Sequence, residues 1–225
     1  MLKLSLSIED FRRYLIKQVD QFFPDGISLS STKDFEKVFD KALQRIELCF
    51  ANVTLKSYRQ NGIPYLNHLH SDQYTVFLWI LSNTAWTELQ DENLASKFFY
   101  LNKALNGFSC MYDTKLPNVF LLLHSTGIVL GKAEYNDYLV VSQGSTVGAH
   151  KGIYPVLGKG VGLLPNSSII GNSNIGNRSS IGINSTIYLQ NVEEETVAFT
   201  DSKGVLTYKR KKTPCWSQQF FSVEI

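Results

Sequence analysis

Six apolar residues, Leu157, Leu163, Ile169, Ile175, Ile181 and Ile187, stand six positions apart, a period that neither a helix nor an ordinary strand produces. Four positions after each comes a small or polar residue: Val161, Ser167, Ser173, Ser179, Ser185 and Asn191. Glycines recur at Gly158, Gly171, Gly176 and Gly182. A hexapeptide unit supplies one short strand and a turn, and only stacked neighbours can bury its apolar position, so the period predicts a parallel β-helix. Its coils should sit about 4.8 Å apart, with Asn166, Asn172, Asn174, Asn177 and Asn184 able to turn the corners.

The repeat extends upstream through Val129, Tyr135, Val141 and Val147, again six apart. Ten residues then separate Val147 from Leu157, so 148–156 must leave the coil and return. A loop carried on a rigid solenoid is a natural place for binding chemistry; the alternative is a tolerated insertion. Residues 1–108 follow a different grammar. Phe11, Leu15, Val19 and Phe22 after Ser7 and Asp10, then Phe35, Phe39, Leu43 and Ile46, form two amphipathic helical patterns. A polar loop with Gly62 and Pro64 follows. A third helix starts at Ser71–Asp72, and a fourth runs through Leu94, Phe98, Leu101 and Leu105 to Gly107. The expected fold is therefore α+β: a helical domain over 1–108, a β-helix over 109–200 and a tail over 201–225.

A net charge of +2 argues against a general nucleic-acid or membrane field. The apolar runs are too short to span a bilayer, and Met1–Ile8 lacks a signal-like core, which points to the cytoplasm. Three cysteines without metal-like spacing suggest neither a disulfide framework nor a zinc site. Of four histidines, His68 and His70 fall in the approach to the third helix, where capping or surface roles suit them. His150 lies in the interrupting loop. His124 stands at the entrance to the coils, where rigid backbone can fix an imidazole suited to proton transfer near neutral pH.

The run His124-Ser125-Thr126-Gly127-Ile128-Val129-Leu130-Gly131, the loop ending Tyr154-Pro155 and the hexads that follow resemble serine acetyltransferase, within the hexapeptide-repeat acyltransferases. The likeness is close over about 109–200. It implies a left-handed β-helix, a trimer or dimer of trimers, and acetyl transfer from acetyl-CoA without a metal. By that resemblance His124 is the general base, backbone near Gly148 and Ala149 faces the oxyanion, and Ala149, His150, Pro165 and Ile183 lie along the pantetheine arm. Lys159, Arg178 and the run Lys209–Lys212 are candidates for its phosphates, the run also reading as solvated charge.

Four positions depart from the family. Leu123 replaces an aspartate, Ile153-Tyr154 replaces arginine-histidine before Pro155, and Ser109 stands where a carboxylate usually orients the base. Asp113 is a candidate substitute, or a turn residue before Pro117. Apolar Leu123 and Ile153 suit a zwitterionic amino acid poorly, because its charges would lack partners. They favour a sugar or nucleotide-sugar acceptor packed on Tyr154, with serine as the alternative. A metal-dependent hydratase, an acyl-carrying Cys110 and a non-catalytic assembly protein docking through its helices or Ile225 are the remaining readings.

Overall fold

The computed structural model describes residues 1–211 and 214–225. Four helices come first: α1 (Ile8–Phe22), α2 (Phe35–Phe50), α3 (Ser71–Thr84, continued by a π-type turn at Ala85–Leu89) and α4 (Glu92–Asn106). Ser7 caps α1 by accepting the Asp10 N–H, Asp91 caps α4 by accepting that of Leu94, and Gly107 ends α4 in the left-handed region. Phe11, Leu15 and Val19 are buried as the helical spacing requires, whereas Phe22 and Leu105 remain exposed. Every residue of α3 from Gln73 to Thr84 is buried, which makes it the central helix of the domain.

The segment read as a polar loop is a small sheet instead: β1 (Lys3–Leu4), β2 (Arg59–Gln60) and β3 (Ile63–Leu66). Asn61 and Gly62 both have positive φ between β2 and β3, the backbone of a two-residue hairpin turn.

From Phe120 the chain winds through coils of three short strands. The first holds β4 (Phe120–Leu123), β5 (Val129–Leu130) and β6 (Glu134–Tyr135). The second holds β7 (Leu139–Ser142), β8 (Thr146–Gly148) and β9 (Val156–Leu157). The third holds β10 (Gly162–Leu163), β11 (Ser168–Ile170) and β12 (Asn174–Ile175). The fourth holds β13 (Ser180–Ile181) and β14 (Thr186–Tyr188). Equivalent strands pair in parallel, giving a prism with three faces. β15 (Thr196–Thr200) extends the first face, and β16 (Leu206–Arg210) pairs back on it antiparallel.

Each face sends one apolar column inward: Leu122, Val141, Leu163, Ile181 and Ala198 on the first; Leu130, Val147, Ile169 and Ile187 on the second; Tyr135, Leu157 and Ile175 on the third. Val129 departs from the hexad reading, since Leu130 pairs with Val147 and is buried while Val129 faces out. The serines four positions on, Ser167, Ser173, Ser179 and Ser185, are buried too. Ser179 and Ser185 accept the N–H groups of Thr196 and Thr200, tying the last coil to β15.

The helical domain covers the lower part of the first face, with Trp79 of α3 edge-on to Phe120 at 5.5 Å and the Cys49 thiol donating to Phe120 O. The C-terminal segment covers the upper part of that face. Trp216 lies over Gly162, where a Cβ would come 2.5 Å from its ring, and Phe221 packs on Tyr138 at 5.2 Å. Thr54 N–H donates to Phe220 O and Ser222 N–H to Asn52 O, so the tail straps the prism to the helices.

Candidate active site

The corner between β4 and β5 differs from those stacked above it. From the inward residue of the first face to the first residue of the second takes five steps in the upper coils: Val141 to Thr146, Leu163 to Ser168, Ile181 to Thr186. In the first coil it takes seven, Leu122 to Val129. The two extra residues make a bulge at His124-Ser125, with His124 exposed and left-handed at φ 52. A histidine pays for that backbone with about 1 kcal/mol, so the corner must be held from outside. It is held by Asp72 in the first turn of α3, whose Oδ2 accepts the His124 N–H at 2.9 Å and whose Oδ1 accepts the Ser125 N–H at 3.0 Å. Nothing local in the sequence links Asp72 to His124; the signal is tertiary. Leu123, half-buried, precedes the bulge on β4.

Asp113 does not orient this imidazole. Its carboxylate is bound to Lys132 Nζ at 2.8 Å, beside the corner between the second and third faces, so the turn-residue reading fits it better. Ser109 extends the second face below β5 through a bridge to Val129. Among the described residues no carboxylate hydrogen-bonds the His124 ring.

The interrupting loop 148–156 is a tight hairpin. His150 and Ile153 exchange backbone hydrogen bonds at 3.0 Å around Lys151 and Gly152, both with positive φ. It lifts Ile153 and Tyr154 into solvent at 52% and 47% exposure. Gly148 ends β8, and Ala149 is exposed at the start of the hairpin. The His150 ring stands edge-on to Tyr188 at 5.3 Å, over Gly171, where a Cβ would come 2.7 Å from that of His150. A shallow pocket below the hairpin is lined by Lys115, Lys132, Tyr135, Tyr154 and Pro155.

Pro165 and Ile183 follow β10 and β13 at the His124 corner, stacked in the coils above it, with Ile183 exposed at 56%. Lys159 and Arg178 sit elsewhere, at the corner between the third and first faces, where the Arg178 N–H donates to Lys159 O. Lys159 lies over the Tyr138 ring at 5.2 Å, and Arg178 is bound by Glu195 at 2.9 Å. Neither shares a corner with Pro165 and Ile183. Of the basic run, Lys209 and Arg210 belong to β16, Lys211 Nζ donates to Pro214 O, and Lys212 lies outside the described residues.

The remaining histidines have structural surroundings. His68 bonds the Ser5 hydroxyl at 2.7 Å, and His70 lies edge-on to Tyr58. No group of three or more metal-binding side chains forms among the described residues, and no described helix is long and apolar enough to cross a membrane. Cys110 is buried, and loss of solvent raises its thiol pKa, both of which count against an acyl-carrier role. Ile225 packs against its own chain: its side chain lies over Gly160 and its N–H donates to Gln218 Oε1 at 3.0 Å.

No family model matches the chain, and no curated protein matches it in sequence. Solved structures do match. The serine acetyltransferase of Vibrio cholerae O1 biovar El Tor superposes with a TM-score of 0.69 at 18% identity, over 90% of this chain and 80% of that one. A serine acetyltransferase in complex with cysteine gives 0.69 at 17%, with the same coverage. A third, in complex with CoA, gives 0.64 at 17%, over 85% of this chain and 82% of that one. The chain therefore has the fold of the serine acetyltransferases, a helical domain leading into a left-handed parallel β-helix.

Proposed function

We propose that the protein is an acetyl-CoA-dependent O-acetyltransferase with His124 as its general base. The observation that carries this reading is the exposed imidazole on a braced bulge, at the place in the fold where the resemblance puts the family's base. His124 takes the proton of the acceptor hydroxyl as that oxygen attacks the thioester carbonyl. The tetrahedral oxyanion forms against backbone N–H groups near Gly148 and Ala149. Its collapse breaks the C–S bond, and the imidazolium returns the proton to the CoA thiolate. Pro165 and Ile183 form the wall for the pantetheine arm.

His124 and the hairpin of Tyr154 stand at opposite ends of the second face, so one prism cannot close both around one acceptor. Val129, Tyr188 and Leu189 leave apolar surface exposed on and beside that face. A homotrimer that brings the hairpin of one prism to the His124 corner of the next covers this surface and completes the site.

Serine is the first acceptor to test, because the solved structures that share this fold are serine acetyltransferases, one of them bound to cysteine. That reverses the preference drawn from sequence. A hydroxylated sugar is the second reading, supported by apolar Leu123 and by Ile153 and Tyr154 on the hairpin. The experiment is CoA release from acetyl-CoA, followed with a thiol reagent, with L-serine and with a panel of sugars. His124→Ala should lower the rate at least about 100-fold with the true acceptor. An unchanged rate refutes the base assignment.

A further inference from the structure

The bulge at His124-Ser125 creates an accounting problem for the backbone. In a β-helix each coil's N–H groups find carbonyls in the coil beside them, but two inserted residues have no counterparts in the corners above. Their N–H groups need an acceptor from outside the solenoid, and two adjacent donors suit one carboxylate. Asp72 supplies it, one oxygen to each N–H. The bracing continues inward. The hydroxyl of Ser125, 3% exposed, meets that of Thr75 at 2.9 Å, and Asn102 Nδ2 of α4 donates to Thr75 O at 3.0 Å. A continuous path of hydrogen bonds thus runs from α4 through α3 to the corner that carries the imidazole.

We propose that Asp72 is a positioning residue: it fixes the left-handed backbone of His124 and so sets the direction of the imidazole, making the helical domain part of the catalytic apparatus. This rests on the reading of His124 as the base. Asp72 reaches the peptide of His124, not its ring, so its work is geometric. Asparagine in its place offers one acceptor oxygen and presents an NH2 group to the second N–H, which leaves a donor facing a donor. The bulge then loosens while the rest of α3 stays packed.

The test compares Asp72→Asn with Ser82→Ala in the full chain. Ser82 donates to Ala95 O at 2.6 Å from the buried interior of the same helix, so its loss weakens the domain without touching the bulge. Hydrogen–deuterium exchange by mass spectrometry, on a peptide spanning 121–128, should be faster by about tenfold or more in Asp72→Asn and unchanged in Ser82→Ala. With acetyl-CoA and L-serine, or the sugar that releases CoA in the panel, kcat should fall about 10- to 100-fold in Asp72→Asn, with KM for acetyl-CoA within about twofold. Ser82→Ala should keep its kcat. Unchanged exchange in Asp72→Asn overturns the proposal, as does an equal loss of kcat in both variants. If the unaltered protein transfers acetyl to no acceptor while exchange still accelerates in Asp72→Asn, the base reading of His124 fails and takes the positioning role with it, and only the backbone brace remains.

Discussion

Ile181 and Ile183 stand two residues apart around the end of β13, and substituting each by alanine should give opposite results. Ile181 is fully buried in the inward column of the first face, between Leu163 below and Ala198 above. Hydrogen-bonded ladders hold the backbone on both sides, so the space left by Ile181→Ala cannot close by collapse. The cost belongs in the upper part of the usual range, about 3–5 kcal/mol, and lowers Tm by about 10 °C in a chain of this size. Ile183 is 56% exposed at the His124 corner, and Ile183→Ala should change stability by less than about 0.5 kcal/mol. Its effect belongs to the co-substrate. If the pantetheine arm covers that side chain, losing about 1 kcal/mol of apolar contact raises KM for acetyl-CoA about fivefold with kcat unchanged. Thermal melts and urea titrations measure the first pair of numbers, and CoA-release kinetics the second. Destabilisation by Ile183→Ala equal to that by Ile181→Ala would refute the register, and an unchanged KM in Ile183→Ala would refute the placement of the arm.

Four further outcomes follow from the geometry. Leu123→Asp restores the carboxylate that the family resemblance puts before the base, and should raise kcat/KM for L-serine about tenfold or more if serine is the acceptor; a drop would favour the sugar reading. Cys110→Ala should keep the transfer rate within about twofold, since a thiol that burial holds protonated has no part in the reaction; a loss of activity would reinstate it as a carrier. Burial pushes the Cys49 thiol from 9.0 up to about 12, so its contribution to stability is intact below pH 9 and is lost as pH rises from 9 towards 12, by at most about 1.4 kcal/mol per pH unit. Urea midpoints of Cys49→Ala should therefore fall less steeply above pH 9 than those of the unaltered protein. Phe221→Ala, which removes a 3%-exposed ring from Tyr138, should cost about 3–5 kcal/mol by denaturant titration, and a neutral result would mean the strap does not hold the two halves together.

What could be read from the sequence was what local periodicity controls. The hexads located the inward columns from Val141 to Ile187, because each coil repeats the same burial problem and the same residue type answers it. The cap at Ser7 and the buried stripe Phe11, Leu15 and Val19 were equally local. The register departs at Val129, because the corner from Leu130 to Tyr135 takes five steps where that from Ile169 to Ile175 takes six, and six-residue counting passes over the missing one. The hairpin at Asn61-Gly62 did have a local signal, an Asn-Gly pair, but Arg59-Gln60 and Ile63-Pro64 are too short and too polar to show an alternating pattern.

The site divides in the same way. His124 stands out in the sequence because its motif is contiguous, whereas everything that tells its neighbours apart depends on contacts distant in sequence. In the sequence Asp113, eleven residues before the histidine, is the candidate carboxylate, while Asp72, fifty-two residues before it, reads only as the start of a helix. Folding gives the nearer one to Lys132 and the farther one to the His124 peptide, because α3 brings its first turn against the base of the first face while the turn at Asp113 faces a different corner. The tail follows the same rule. A terminal isoleucine looks free in sequence, yet the glycines at 160 and 162 leave a surface without side chains on the first face, and Ile225 and Trp216 lie on it. The prism thus has one face closed by its own chain, from α3 at the bottom to the strap at the top. The second face, with His124 at one end and the hairpin at the other, is not covered by the chain itself, and the proposed trimer would use it.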